Sequence, residues 1–168
     1  MGNKSDNRHL DYLHEEDDDI LYIYTDGSRE LSEDKECIRV SGAYLFVLND
    51  EVIHSGRIEA TDKSNCAAWN VGGEMLACLK GLKKAVETYP ITQKIVIVHD
   101  YIGVASWGNH LWKTSHKSPD AAIEFIKELD CARANGYEIS FIKIKSHTTT
   151  KNKACDYNRK VDELAGIE

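Results

Sequence analysis

Ile20-Leu21-Tyr22-Ile23-Tyr24-Thr25-Asp26-Gly27-Ser28 sets the architecture of this chain. Five successive β-prone apolar side chains read as a short strand, and Asp26-Gly27-Ser28 after them carries turn chemistry. A carboxylate is thereby placed at a strand end. In an open α/β sheet, strand ends and the helices beside them form the usual ligand crevice.

Downstream, residues 29–40 form a charged connection, and residues 43–48 and 52–58 read as a hairpin about Asn49-Asp50. The sheet therefore begins with antiparallel strands. Val71, Met75, Leu79, Leu82 and Val86 recur at three- and four-residue steps, giving a helix one apolar face to lay on that sheet. Tyr89-Pro90 ends it. Lys94-Ile95-Val96-Ile97-Val98 is nearly continuously apolar, the pattern of a central strand buried on both faces. Residues 101–112 and 119–134 read as helices, 137–144 as the last strand and 158–167 as a closing helix. The order β-β-β-α-β-α-α-β-α describes an α/β architecture, a mixed sheet with helices packed against it.

Upstream, residues 1–19 are polar, charged and aperiodic. They read as an acidic tail, disordered or loosely attached, before one domain over residues 20–168. A chain of 168 residues with 42% apolar side chains supplies one real core. The net charge of −7 divides unevenly: seven acids against Lys4 and Arg8 give the tail −5, leaving −2 for the other 149 residues. Acidity is a property of the tail and does not exclude a polyanionic substrate. No apolar run approaches the roughly 18 residues of a membrane span, and no signal-peptide core is present. Cys37, Cys66, Cys78, Cys131 and Cys155 are odd in number and scattered, without a CxxC pair. That argues against disulfides or a zinc site and suits a reducing cytosol. A GxSxG elbow, a Walker A loop and HExxH are all missing, which leaves serine-hydrolase, P-loop and zinc-protease chemistries without support.

Three acids fall at element ends: Asp26 after the first strand, Glu74 at the opening of the first helix, and Asp100 after the central strand. Each alone has an ordinary role, in a turn or at a helix dipole. Converging at one rim they would repel one another and suffer desolvation, a penalty that divalent cations relieve. Mg²⁺ takes hard oxygen ligands and bridges to phosphate oxygens. Two such ions about 3.5–4 Å apart activate an attacking water and stabilise the leaving oxygen of an in-line displacement.

Five ordered blocks carry a family resemblance: Tyr24-Thr25-Asp26-Gly27-Ser28; Asn70 with Gly73-Glu74-Met75-Leu76-Ala77; His99-Asp100-Tyr101; Lys145-Ser146-His147; and Asn158 with Val161-Asp162-Glu163-Leu164-Ala165. Together, over roughly residues 20–166, they resemble type 1 ribonuclease H. The stretches Asn70-Val71-Gly72-Gly73-Glu74 and Asp100-Tyr101-Ile102-Gly103 look closest to a bacterial subgroup often linked to a viroplasmin-type hybrid-binding domain, for which this chain has no room. The resemblance implies a five-stranded mixed sheet flanked by helices and an endonuclease that hydrolyses the RNA strand of RNA–DNA hybrids. It implies Asp26, Glu74, Asp100 and Asp162 as ligands of two Mg²⁺ ions, for which Mn²⁺ substitutes. Asp26 would bridge both ions, with Glu74 and Asp100 on one and Asp162 on the other. Asp156 competes for the last place; the Asn158–Asp162 spacing, one turn on one helix face, favours Asp162. His147 matches a flexible-loop histidine that assists product departure or proton transfer.

Gly27, Ser28, Asn70, Trp112, Lys113, Lys145 and Asn158 are the expected substrate contacts. Lys143, Lys145, Lys151, Lys153, Arg159 and Lys160, opposed by Asp156, give a local charge of +5 beside the site. Telling a hybrid from a DNA duplex rests on shape and 2′-hydroxyl contacts, so cleavage is expected to be largely sequence-independent. The basic protrusion of many relatives is short here, with Lys113, His116 and Lys117. A monomeric cytoplasmic enzyme is expected; the alternative is a catalytically weak hybrid-binding module on the same fold.

Overall fold

The apolar run at residues 20–24 opens a strand, but that strand does not stop at Asp26. In the structure, a computed structural model describing residues 7–14, 19–146 and 148–166, β1 (Ile20–Leu31) passes straight through Asp26-Gly27-Ser28. These residues pair antiparallel with Ala43, Gly42 and Ser41 of β2 (Cys37–Leu48). The turn expected there is corrected to extended strand. Gly27 serves a close approach from above the sheet: an added Cβ would meet the Glu74 amide nitrogen at 2.2 Å and the Asn70 carbonyl oxygen at 2.3 Å.

β3 (Glu51–Ala60) returns along β2 through a tight turn in which Asn49 and Asp50 both take positive φ, 51° and 60°. β4 (Lys94–His99) lies parallel to β1, and β5 (Ile139–Lys143) parallel to β4. The described residues thus form the expected five-stranded mixed sheet, in the order β3-β2-β1-β4-β5. Residues 95–98 of β4 are all buried, as a strand covered on both faces requires.

One face of the sheet takes α2 (Asn70–Thr88), with α4 (Asp120–Ala134) packed beside it. Met75, Leu79 and Leu82 of α2 are at most 2% exposed, and burying side chains of this size stabilises by roughly 1.5–3 kcal/mol apiece. A short helix, α1 (Lys63–Ala67), precedes α2; it has too few residues to show a hydrophobic period and was not anticipated. Asp62 caps it by accepting from Asn65 N at 3.0 Å. The helix expected at 101–112 shrinks to α3 (Gly103–Gly108), because the chain turns out of helical geometry by His110, whose φ is 58°.

The opposite face takes α5 (Lys153–Ala165), which starts five residues before the expected 158 because Asn152 caps it, accepting from Cys155 N at 2.8 Å. Tyr157 and Val161 of α5 pack on Tyr22, Tyr24, Leu45 and Val98. Residues 7–14 lie on this face too. Asn7, Leu10 and His14 are all buried, and His14 Nε2 meets the Tyr24 hydroxyl at 2.6 Å. This corrects the loose tail expected from composition, as far as residues 7–14 are concerned: a few buried anchors hold a segment whose average is polar. Residues 1–6 and 15–18 of that tail lie outside the described residues, as does His147. No helix of the described residues is long and apolar enough to cross a membrane.

Candidate active site

Alternation along β1 decides which way each side chain of the first block points. Tyr22 and Tyr24 belong to the α5 face and Ile23 to the α2 face. Asp26 therefore projects towards α5, while Thr25 and Gly27 face α2. β1 and β4 run parallel with Tyr24 opposite Val98, so Asp26, still within β1, and Asp100, just past the end of β4, come side by side two residues further on. Asp26 is half-buried, and its Oδ1 accepts from Gly27 N at 2.9 Å.

Glu74 arrives from the other face. The first turn of α2 lies directly on the sheet because the contacts are backbone on backbone: a Cβ on Gly73 would meet Ser41 O at 2.0 Å, and one on Gly42 would meet Gly73 O at 2.1 Å. Trp69, ahead of the helix, takes φ 58° to make the entry. Glu74, 3% exposed, is carried in beside Thr25, whose Oγ1 donates to its Oε1 at 3.1 Å. The Asp100 backbone N–H also donates to this carboxylate. Thr25, fully buried, was not singled out from the sequence; a threonine within a β-prone run gives no signal of its own.

Asp162 completes the group. The end of α5 is tied to β2 and β3: Ser41 Oγ donates to Ala165 O, and Arg57 Nε to Leu164 O at 3.0 Å. Asp162 thereby comes within hydrogen-bonding reach of Asp26. Asp156 points elsewhere, paired with Arg159 at 2.7 Å. The four carboxylates of β1, α2, α5 and the end of β4 meet at one rim.

Their electrostatics follow from that meeting. Burial, the contact with Asp162 and the charge of Glu74 push Asp26 up to about 9. Burial also pushes Glu74 up to about 7, with the Asp100 charge adding to it, against the opposing hydrogen bond from Thr25. Asp26 is a proton-holding hub between Glu74 and Asp162. Among the described residues, no group of three or more His, Cys, Asp or Glu side chains is arranged to hold a metal ion, and Asp26 is hydrogen-bonded to Asp162 instead. Hard carboxylate oxygens gathered with like charge are the donor chemistry that Mg²⁺ and Mn²⁺ prefer.

A cleft of about 360 Å³ adjoins the acids at Asp162 and is lined by Lys145, Ser146, Thr148, Asn158 and Arg159 among others. Lys145 and Asn158 of the expected contacts are thus brought together. Asn70 is exposed at the start of α2, and Gly27 and Ser28 continue the strand beyond Asp26. Trp112 and Lys113 stand apart from the cleft on the exposed chain after α3. There Trp112, 41% exposed, sets its ring edge-on to Trp107 at 5.8 Å and Tyr101 at 6.3 Å. Trp107 is core.

This strand order and helix placement are those of the ribonuclease H fold. No family model matches the sequence, and no curated protein is similar to it by sequence. Solved structures do share the fold. Ribonuclease H1 from the halophilic archaeon Halobacterium salinarum is similar with a TM-score of 0.62 at 14% identity, over 86% of this chain and 92% of that one. The ribonuclease H domain of prototype foamy virus has a TM-score of 0.66 at 21% identity, over 86% of this chain and 91% of that domain. LC11 ribonuclease H1, isolated from compost and solved in complex with an RNA/DNA hybrid, gives 0.61 at 13%, over 86% and 92%.

Proposed function

We propose that this chain is a metal-dependent endonuclease that hydrolyses the RNA strand of RNA–DNA hybrids. The convergence of Asp26, Glu74, Asp100 and Asp162 from four elements carries the reading. Asp26 would be shared between two Mg²⁺ ions, with Glu74 and Asp100 holding one and Asp162 the other; Mn²⁺ would substitute. When bound, such ions activate water and stabilise the leaving oxygen of a phosphodiester. The protein's own part is to fix the acids on rigid strands and helices, with Thr25 and the Asp100 N–H orienting Glu74. Lys145 and Asn158 bind the backbone at the cleft, Asn70, Gly27 and Ser28 approach the RNA strand, and Trp112 with Lys113 grips the hybrid further along. His147 serves the proton or product step. The products carry 5′-phosphate and 3′-hydroxyl ends, and the cut is largely sequence-independent because backbone contacts dominate.

The same reading makes the chain a cytoplasmic monomer, akin to the bacterial subgroup whose motifs it shares. Five free cysteines support a reducing compartment. Asp26→Asn tests the assignment: cleavage falls by several orders of magnitude while hybrid binding, read by fluorescence anisotropy, persists. Cutting at the wild-type rate by this variant would refute the carboxylate site.

A further inference from the structure

Beyond Ile144, whose N–H donates to His99 O at 2.7 Å, the chain leaves β5 and enters the loop that lines the cleft. Asn7 meets it there. The Asn7 side chain closes a two-bond ring on the Lys145 backbone: Lys145 N donates to Oδ1 at 2.9 Å, and Nδ2 donates to Lys145 O at 2.7 Å. This reproduces with a carboxamide what a neighbouring strand does with its peptide. Nδ2 also reaches Thr148 Oγ1 at 3.1 Å. The Asn7 carbonyl accepts from Asn152 Nδ2 at 3.1 Å, and Asn152 is the cap of α5. One residue, 1% exposed, thus joins the cleft loop to the start of the helix that bears Asn158 and Asp162.

We propose that Asn7 is a positioning residue of the nucleic-acid cleft, holding Lys145, Thr148 and Asn152 in the arrangement that presents Lys145 to the substrate. The proposal rests on the hybrid-cleavage reading and adds to it a part of the chain that lies far from the motif blocks. The labour within residues 7–14 is divided. Leu10 is inserted among the apolar residues of the α5 face and His14 is bonded to Tyr24, so these two attach the segment to the core. The side-chain bonds of Asn7 go instead to the loop, at Lys145 and Thr148, and to Cys155 in the first turn of α5. Its carbonyl accepts from Asn152 Nδ2 as well as from Leu10 N. A buried carboxamide with its bonds satisfied at both ends also resists displacement, because a severed partner stays desolvated.

The test compares full-length Asn7→Ala and Leu10→Ala with wild type. It reads KM and kcat for a labelled hybrid, the hybrid Kd, and hydrogen exchange of the 145–152 amides. Asn7→Ala is expected to raise KM and Kd about tenfold and to speed exchange at Lys145 by a similar factor, with kcat within about twofold. Leu10→Ala is expected to lower the unfolding midpoint with a smaller change in KM. Asn7→Asp, isosteric and still an acceptor for the Lys145 amide, serves where the alanine variant does not fold and moves KM in the same direction. Unchanged KM, Kd or loop exchange in Asn7→Ala overturns the proposal. So does an equal rise in KM for Leu10→Ala at equal loss of stability. If the wild-type chain cuts no hybrid, the cleavage reading fails by itself, and Kd with loop exchange still decides the role of Asn7.

Discussion

Asp26 shows how a single residue couples stability to function. Asp26 and Glu74 are raised to about 9 and about 7, so the folded chain keeps protons that the unfolded chain has released. Stability from these protonated carboxyls is complete below about pH 4 and is lost as pH rises towards 9. Without metal, Asp26→Asn is therefore expected to be more stable than wild type at pH 7, by about 1–3 kcal/mol in urea unfolding. A less stable variant would show that Asp26 is not held protonated. Histidines act in the opposite direction. Burial, opposed by the Asp50 charge and helped by that of Lys153, holds His14 down to about 4, so stability present above about pH 6.5 is lost as pH falls through 4. His14→Phe should flatten the slope of unfolding free energy between those two values, and an unchanged slope would place the acid sensitivity elsewhere. At this scale the sequence marked the acids through the ordered motif blocks that hold them, although Asp26 lies within β1 and not at its end. It did not mark Thr25, Asn7 or His14, whose roles arise only from what folding brings beside them.

At the scale of elements, the approach of α2 to the sheet carries the site. Gly72-Gly73 opens a helix with two residues of poor helical propensity, and a propensity argument alone would count that as a defect. The structure gives the reason: only hydrogen fits between Gly73 and Ser41 O. Gly73→Ala is expected to cost about 3 kcal/mol or more in urea unfolding, since backbone rather than a flexible side chain must yield. Cleavage is expected to fall further than stability, because Glu74 moves with the helix. A variant as stable as wild type would contradict the close docking. Elements with a strong period, α2 and β4, were legible from the pattern of residues alone. The continuation of β1 through Asp26-Gly27-Ser28 was not, because Asp-Gly serves a turn or a close approach equally well, and only the partner strand distinguishes them. The early start of α5 was hidden likewise, its first turn, Lys153-Ala154-Cys155-Asp156, being too short to show a period and held by the Asn152 cap.

Across the whole molecule, the sheet sorts the chain into two faces that meet at one rim: α2 brings Glu74, and α5 brings Asp162 beside the cleft loop that Asn7 holds. The net charge of −7 is compatible with a polyanion as partner because lysine and arginine are concentrated at residues 143–160. Salt dependence follows from that concentration, and hybrid affinity should fall steeply as salt rises. The central claim, metal-dependent cutting of the RNA strand of a hybrid, is tested most directly by one assay. The wild-type chain is incubated with a hybrid labelled on the RNA strand, in Mg²⁺, Mn²⁺ or EDTA, beside RNA duplex, DNA duplex and single-strand controls. The account predicts cutting of the hybrid's RNA strand alone, with 5′-phosphate ends, in either metal and not in EDTA. Binding of the hybrid without cutting in either metal, or cutting undiminished by EDTA, would contradict it.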